Sequence, residues 1–227
     1  MEEYRIYIIS GPSGCGKGTL VDLLIKAHPE IALSVSYASR QPRKGELEGV
    51  HYRFVTPEFF KEKLARGELL EYNIMNGGNM YGTDLLFVKN AVANRKPVIL
   101  EIDEAGARQV LPVYPETCCI FVLPPTSKGL VERLVGRGTE TLDKILMRLE
   151  KAQGEMEAAK NYPYLLLNDD VDRASKKLIA LFEGHFPDKN DNRALLQALS
   201  EEFRDMDTIR AYARQCYNEI HAGGKTV

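Results

Sequence analysis

The stretch Gly11-Pro12-Ser13-Gly14-Cys15-Gly16-Lys17-Gly18-Thr19 sets glycines and one lysine at the spacing G-x-x-x-x-G-K. Residues of this kind cradle phosphate. The glycines let backbone N–H groups converge on phosphate oxygens, the positive end of a following helix adds favourable potential, and Lys17 brings a charge to the terminal phosphates of a nucleotide. Gly18 stands where the motif usually carries a Ser or Thr hydroxyl for Mg²⁺, so the ion is expected to be held mainly by nucleotide oxygens and water, with the Thr19 hydroxyl next along the chain. A second cluster lies in Ser34–Glu46, where Arg40, Arg43 and Lys44 share a stretch that Pro42 and Gly45 keep out of helix. Guanidinium forks pair bidentately with phosphate, and a phosphate carrying about two charges suits two of them. On charge alone the same residues could equally be solvated loop surface. A third set is Arg133, Arg137 and Arg148. Arg133 and Arg137, four apart, share a face if the segment is helical, and Gly136 and Gly138 bracket Arg137 with flexible backbone.

These residues need elements to position them. Residues 5–9 are β-branched and aromatic and run straight into the Gly-rich turn, which the helical pattern Leu20, Leu23, Leu24 and Ala27 follows. The order is strand, phosphate loop, helix. The runs Val98–Ile102, Cys119–Leu123 and Leu165–Leu167 are nearly continuous in apolar residues, as strands buried on both faces are, and helical stretches separate them. An α/β core with a parallel sheet flanked by helices is expected, spanning residues 1–32 and 84–184. Between 33 and 83 short alternating segments such as His51–Val55 predict an inserted β-rich lobe. It carries one helix with Thr56 as N-cap, Pro57 at its first position and Gly67 as its stop. After residue 184 a polar, turn-rich break precedes Leu195, Leu199, Phe203, Met206, Ile209, Ala213, Cys216 and Ile220 at three- to four-residue spacing. Residues 185–227 thus read as a helical extension, one amphipathic helix or a pair. Its stripe could dock on the core, form a homodimer contact or meet another partner, and docking is the plainest of the three.

Composition narrows the class. Thirty Lys+Arg against 32 Asp+Glu give a net charge of -2 in 227 residues, so no basic field advertises nucleic acid. The four cysteines fall in no metal-ligand spacing, and no apolar run approaches the ~20 residues that span a bilayer. The expectation is a cytoplasmic, reduced protein with no membrane or nucleic-acid partner.

Seven segments occur in one order: Gly11–Thr19, Ser34–Val55, Asn79–Thr83, Leu100–Asp103, Pro124-Pro125, Arg133-Leu134 with Arg137-Gly138, and Asn168-Asp169-Asp170. In these the chain resembles the guanylate kinase family of P-loop nucleoside monophosphate kinases, from residue 5 to about 184. The resemblance implies transfer of the γ-phosphoryl group of ATP to GMP, with Mg²⁺ as cofactor. It implies that Gly11, Pro12, Ser13, Gly14, Cys15, Gly16, Lys17, Gly18 and Thr19 bind ATP, with Asn168 at the adenine. Arg40, Arg43, Tyr52 and Tyr81 would grip the GMP phosphate, Ser34, Glu71 and Thr83 would read the guanine, and Glu46 would belong to the same site. Asp103 would sit near the acceptor or the metal, for which it and Thr19 are the candidate protein ligands. Arg133, Arg137 and Arg148 would form a mobile lid at about 126–160, joining Lys17, Arg40 and Arg43 as the catalytic cations.

The chemistry of Glu71 supports this separately. Guanine presents N1–H and a 2-amino group on one edge, two donors that a carboxylate accepts together, and adenine lacks that pair. Two other readings share part of the pattern. A scaffold-type domain of the same fold would bind phosphorylated peptides, but such domains typically lack a working phosphate loop. A kinase for AMP or another acceptor would have no use for Glu71 with Thr83.

Overall fold

The run Ile6–Ser10 forms strand β1, buried along its whole length. The computed structural model describes residues 6–222 apart from 44, 76, 137 and 139. After β1 come α1 (Lys17–Ala27), β2 (Ala32–Leu33), β3 (Tyr37–Ala38), β4 (Arg53–Phe54), α2 (Pro57–Ala65), β5 (Leu69–Ile74), β6 (Met80–Asp84) and α3 (Leu85–Ala93). The second half runs β7 (Val98–Leu100), α4 (Glu104–Val110), β8 (Thr117–Leu123), α5 (Ser127–Val135) and α6 (Leu142–Ala158). It closes with β9 (Tyr164–Leu167), α7 (Val171–Phe182), α8 (Arg193–Glu202) and α9 (Met206–Ala222). The chain divides into two units, one of residues up to Ile9 with Ile25–Cys118, the other of Ser10–Leu24 with the chain from Cys119 onward.

In the first unit β7 pairs in parallel with both β1 and β2, with Ile99 opposite Tyr7 on one side and Leu33 on the other. All three β7 residues are fully buried, as a strand covered on both faces requires. The run expected to reach Ile102 leaves the ladder after Leu100, because Asp103 already serves as N-cap of α4. The same unit holds the expected β-rich lobe, a four-stranded sheet in the order β4-β3-β6-β5. Its β3–β4 pair is parallel and its β3–β6 and β5–β6 pairs antiparallel. Phe60 of α2 packs with Tyr37 and Met80 to form the lobe's own small core. Thr56 caps α2 by accepting from Phe59 N, Pro57 opens it, and Gly67 leaves it at φ +65°.

In the second unit β8 is buried throughout and pairs in parallel with β9, Ile120 opposite Tyr164 through Leu123 opposite Leu167. Helices α5 and α6 pack with α8 and α9. The C-terminal stripe is used unevenly: Leu199, Phe203, Met206, Ile209 and Ala213 are buried, Leu195 and Cys216 only half-buried and Ile220 exposed, and it is Leu196, outside the expected stripe, that is buried in place of Leu195. The stripe also breaks at Asp205, whose carboxylate accepts from Thr208 N and Thr208 Oγ1 and starts a second helix. No helix of the described residues is long and apolar enough to cross a membrane.

Candidate functional site

The phosphate loop lies in the second unit. Pro12 O accepts from Cys15 N at 3.1 Å, closing a turn, and Gly16 O accepts from Leu20 N, opening α1. Gly16 has φ +95°, and a Cβ there would come within 2.4 Å of Asn168 Nδ2, so only glycine fits. Lys17 Nζ folds back over the loop, donating to Gly11 O at 2.6 Å and Pro12 O at 3.3 Å. Gly18 and Thr19 are exposed, and Cys15 is buried, so its contribution is its backbone.

Cys15 O is held from two sides. Asn168 Nδ2 donates to it at 2.7 Å and Arg133 Nη1 at 3.2 Å, while Arg133 Nη2 donates to Asn168 O at 2.9 Å. Asn168 is 1% exposed. Its amide nitrogen supports the loop, while its buried Oδ1 has no hydrogen-bond partner among the described residues. Arg148 donates from Nη1 to Ser13 Oγ at 2.8 Å and from Nη2 to Glu140 Oε1 at 2.6 Å. Two of the three arginines expected in a lid therefore reach the loop. Helix α5 ends at Val135 with Gly136 as its cap. Arg137 lies outside the described residues.

The residues expected to serve the acceptor all lie in the first unit. Arg40 donates from Nη1 and Nη2 to the two oxygens of Glu46, at 2.6 and 2.8 Å, and from Nε to Tyr81 Oη at 2.8 Å. Its guanidinium carbon is 5.1 Å from the Tyr52 ring centre, and the Tyr52 and Tyr81 rings meet edge-on at 5.7 Å. Burial works to raise Glu46, but its hydrogen bonds from Arg40 and from Arg43 N hold the carboxyl below its ordinary value. Burial and the Glu101 charge push Tyr52 upward, so its hydroxyl keeps its proton as a donor. The Arg43 side chain is exposed beside this cluster in sequence.

Glu71 and Thr83 face each other in the β5–β6 register, and Thr83 Oγ1 donates to Glu71 Oε1 at 2.6 Å. Both are buried. Burial pushes the Glu71 carboxyl up to about 7, the Thr83 hydrogen bond opposing and the Asp103 charge reinforcing it. Asp103 caps α4, accepting from Gly106 N at 3.1 Å on Oδ1 and from Asn73 Nδ2 at 2.9 Å on Oδ2. Ser34 N donates to Ile99 O, and its buried Oγ has no hydrogen-bond partner among the described residues.

Among the described residues no group of three or more His, Cys, Asp or Glu side chains is arranged to hold a metal ion. Near the loop the nearest oxygen donor after Lys17 in the chain is the exposed Thr19 hydroxyl. This donor set fits a Mg²⁺ held mainly by phosphate oxygens and water. Asp103 serves as a helix cap.

Sequence reasoning passed over Asn73 and Glu140. Asn73 follows Glu71 by two on a strand, and period-two alternation puts both on one face. Nothing in spacing or composition marks Glu140 as the partner of Arg148.

The sequence model described as guanylate kinase matches residues 3–185. A guanylate kinase of Chromobacterium violaceum is 39% identical over 207 residues, 91% of this chain and 97% of that protein. One from a Synechococcus species is 46% identical over 174 residues, 77% of this chain and 91% of the other. The crystal structure of guanylate kinase from Anaplasma phagocytophilum superimposes with a TM-score of 0.66 at 26% identity, covering 84% of this chain and 92% of that one.

Proposed function

The chain belongs to the guanylate kinase family and transfers the γ-phosphoryl group of ATP to GMP in purine nucleotide metabolism, and we propose which of its residues serve each substrate. Gly11–Thr19 takes the ATP phosphates, with Lys17, Arg133, Arg137 and Arg148 as counter-charges. Arg40, Arg43, Tyr52 and Tyr81 take the GMP phosphate, with Glu46 holding Arg40. Ser34, Glu71 and Thr83 read the guanine. The observation that carries the acceptor assignment is the buried Glu71 carboxylate with the Thr83 hydroxyl bonded to it. A carboxylate enclosed this way is costly unless a ligand meets it, and the paired donors of guanine do so.

Phosphoryl transfer asks for in-line positioning and charge stabilisation more than for covalent help. The acceptor phosphate, with a second pKa of about 6, is largely dianionic near neutrality, so no general base is needed. Arg40 and Arg43 orient it as nucleophile, while Lys17 and the lid arginines stabilise charge on the group in flight. Mg²⁺, when bound with ATP, supplies further neutralisation through phosphate oxygens and water, with the Thr19 hydroxyl at hand.

We take residues 1–184 as the kinase domain, with the GMP lobe at 33–83 and the lid at about 126–160, and residues 185–227 as an extension. The family model ends at residue 185, while the likeness to the Chromobacterium violaceum protein, over 91% of the chain, runs on into the extension. A cytoplasmic location accords with nucleotide substrates and with the buried thiols of Cys15, Cys118 and Cys119. Self-association through the extension would use the outer face of α9, where Ile220 is exposed, and sedimentation equilibrium reads it directly.

The test is a coupled assay of ADP formation with GMP, dGMP, IMP, AMP and UMP. GMP is expected to be preferred over AMP and UMP by several orders of magnitude. Equal turnover of AMP would remove Glu71 from the reading of the base.

A further inference from the structure

Asn73 belongs to none of the motifs above, yet it stands among the residues that hold Glu71. Strand β5 alternates, so Asn73 shares a face with Glu71 while Tyr72 and Ile74 are exposed on the other. Asn73 Nδ2 donates to Asp103 Oδ2 at 2.9 Å, and Asp103 Oδ1 accepts from Gly106 N. Gly106 in turn lies against Glu71, so close that a Cβ on it would meet Glu71 Oε2 at 2.5 Å. One turn further, Gln109 donates to Tyr72 O at 2.8 Å and accepts from Tyr72 N at 3.1 Å. Helix α4 is thus fastened to β5 at two adjacent residues. The Glu71 carboxylate is bounded by Thr83 on one oxygen and by the first turn of α4 on the other.

We infer that Asn73 is a specificity-determining positioning residue: by holding Asp103 it fixes the first turn of α4 against Glu71, and so fixes the carboxylate for the paired donors of guanine. The inference rests on the assignment of GMP to the Glu71 pocket. Two parallel hydrogen bonds demand that both oxygens stay in place, whereas one bond survives a rotation of the carboxylate. The amide suits the task because it donates to Asp103 without adding charge. A lysine in its place would pair with the carboxylates and weaken the acceptor that guanine needs.

The experiment measures kcat and KM for GMP and for IMP, which lacks the 2-amino group, in the full chain and in Asn73→Ala, Asn73→Ser, Asp103→Ala, Asn73→Ala with Asp103→Ala, and Glu71→Gln. Asn73→Ala is expected to raise KM for GMP roughly five- to tenfold, with a smaller effect on kcat, and to lower the GMP-to-IMP ratio of kcat/KM by a similar factor. The same substitution made on Asp103→Ala is expected to add little, since its target is gone. A GMP-to-IMP ratio unchanged in both Asn73 variants overturns the inference, as does an Asn73 effect that persists in full without Asp103. If Glu71→Gln leaves KM for GMP unaltered, the pocket assignment itself fails. A loss in Glu71→Gln without a loss in the Asn73 variants sinks only the positioning role. Circular dichroism and melting temperature identify any variant that misfolds, and the Ser variant then stands in for Ala.

Discussion

Thr83 Oγ1 donates to Glu71 Oε1 at 2.6 Å, a hydrogen bond between two buried side chains directly opposite in the β5–β6 ladder. It ties a carboxylate to the sheet in a place where burial has raised that carboxyl to about 7 from an ordinary 4.5. Between those two values the folded chain keeps a proton that the unfolded chain releases, so stability falls as pH rises through the window and the loss is complete above about 7. The shift corresponds to something on the order of 3 kcal/mol. Glu71→Gln has no charge to bury, and it is expected to melt higher than the parent at pH 8 and level with it near pH 4.5. Thermal melts across pH 4.5–8 check this, and a gap that does not narrow with acid would refute it. The same variant is expected to lose GMP affinity, as titration calorimetry at pH 8 would read.

Arg40 and Arg43 should separate by what their loss does to the fold. Arg40 is paired through both terminal nitrogens with Glu46, whose side chain is 17% exposed. Arg40→Ala removes both guanidinium bonds from that carboxylate, leaving it the Arg43 N–H, and is expected to lower stability by roughly 1–3 kcal/mol as well as activity. Arg43 is exposed, so Arg43→Ala is expected to keep the parent melting temperature while kcat/KM for GMP falls on the order of 10²-fold. Melting curves beside initial rates decide it, and near-normal turnover in Arg43→Ala takes it out of the site.

Much of this was legible in the sequence, for a definite reason. The phosphate loop is local: its glycines, its lysine and its flanking elements are neighbours in the chain, so spacing alone specifies them. The helix Pro57–Ala65 was legible for the same reason, since Thr56, Pro57 and Gly67 are all local signals. What spacing could not reach were contacts between distant residues. Arg133 meets Cys15 across 118 positions, and Arg148 meets Ser13 across 135. Spacing could set Arg133 on a helix face, but only tertiary packing brings it and Arg148 to loop atoms. The bond from Asn168 to Cys15 O spans 153 positions, and a place at the end of a strand says nothing about which way an amide points. The break at Asp205 was foreseeable only as an alternative, since a continuous stripe carries no sign of where one helix yields to two.

Gly16→Ala is expected to abolish ATP binding and to destabilise the chain by about 2 kcal/mol or more, because the added methyl meets both a left-handed backbone and the Asn168 amide. Calorimetry with a non-hydrolysable ATP analogue, with GMP binding as internal control, checks this. Retained ATP affinity would mean that the loop relaxes.

Phe203 is fully buried, and its carbonyl accepts from Gln153 Nε2 of α6 at 2.9 Å. Phe203→Ala is expected to cost about 3–5 kcal/mol in denaturant unfolding. A variant as stable as the parent would show that the extension unfolds separately from α5 and α6. A single cooperative transition at lower denaturant would show that they unfold together.

The Lys17 ammonium has already exchanged part of its water for the carbonyl oxygens of Gly11 and Pro12. Dehydrating an ammonium is among the larger penalties in assembling an anion site, and here folding bears part of it before any nucleotide is present. Nucleotide arrival then becomes a swap of one set of oxygens for another, from neutral amide carbonyls to anionic phosphate. Such a swap needs only a short excursion of a flexible side chain, and the carbonyls stand ready to recapture the ammonium when product leaves. The loop is thereby self-terminated at each end of the catalytic cycle.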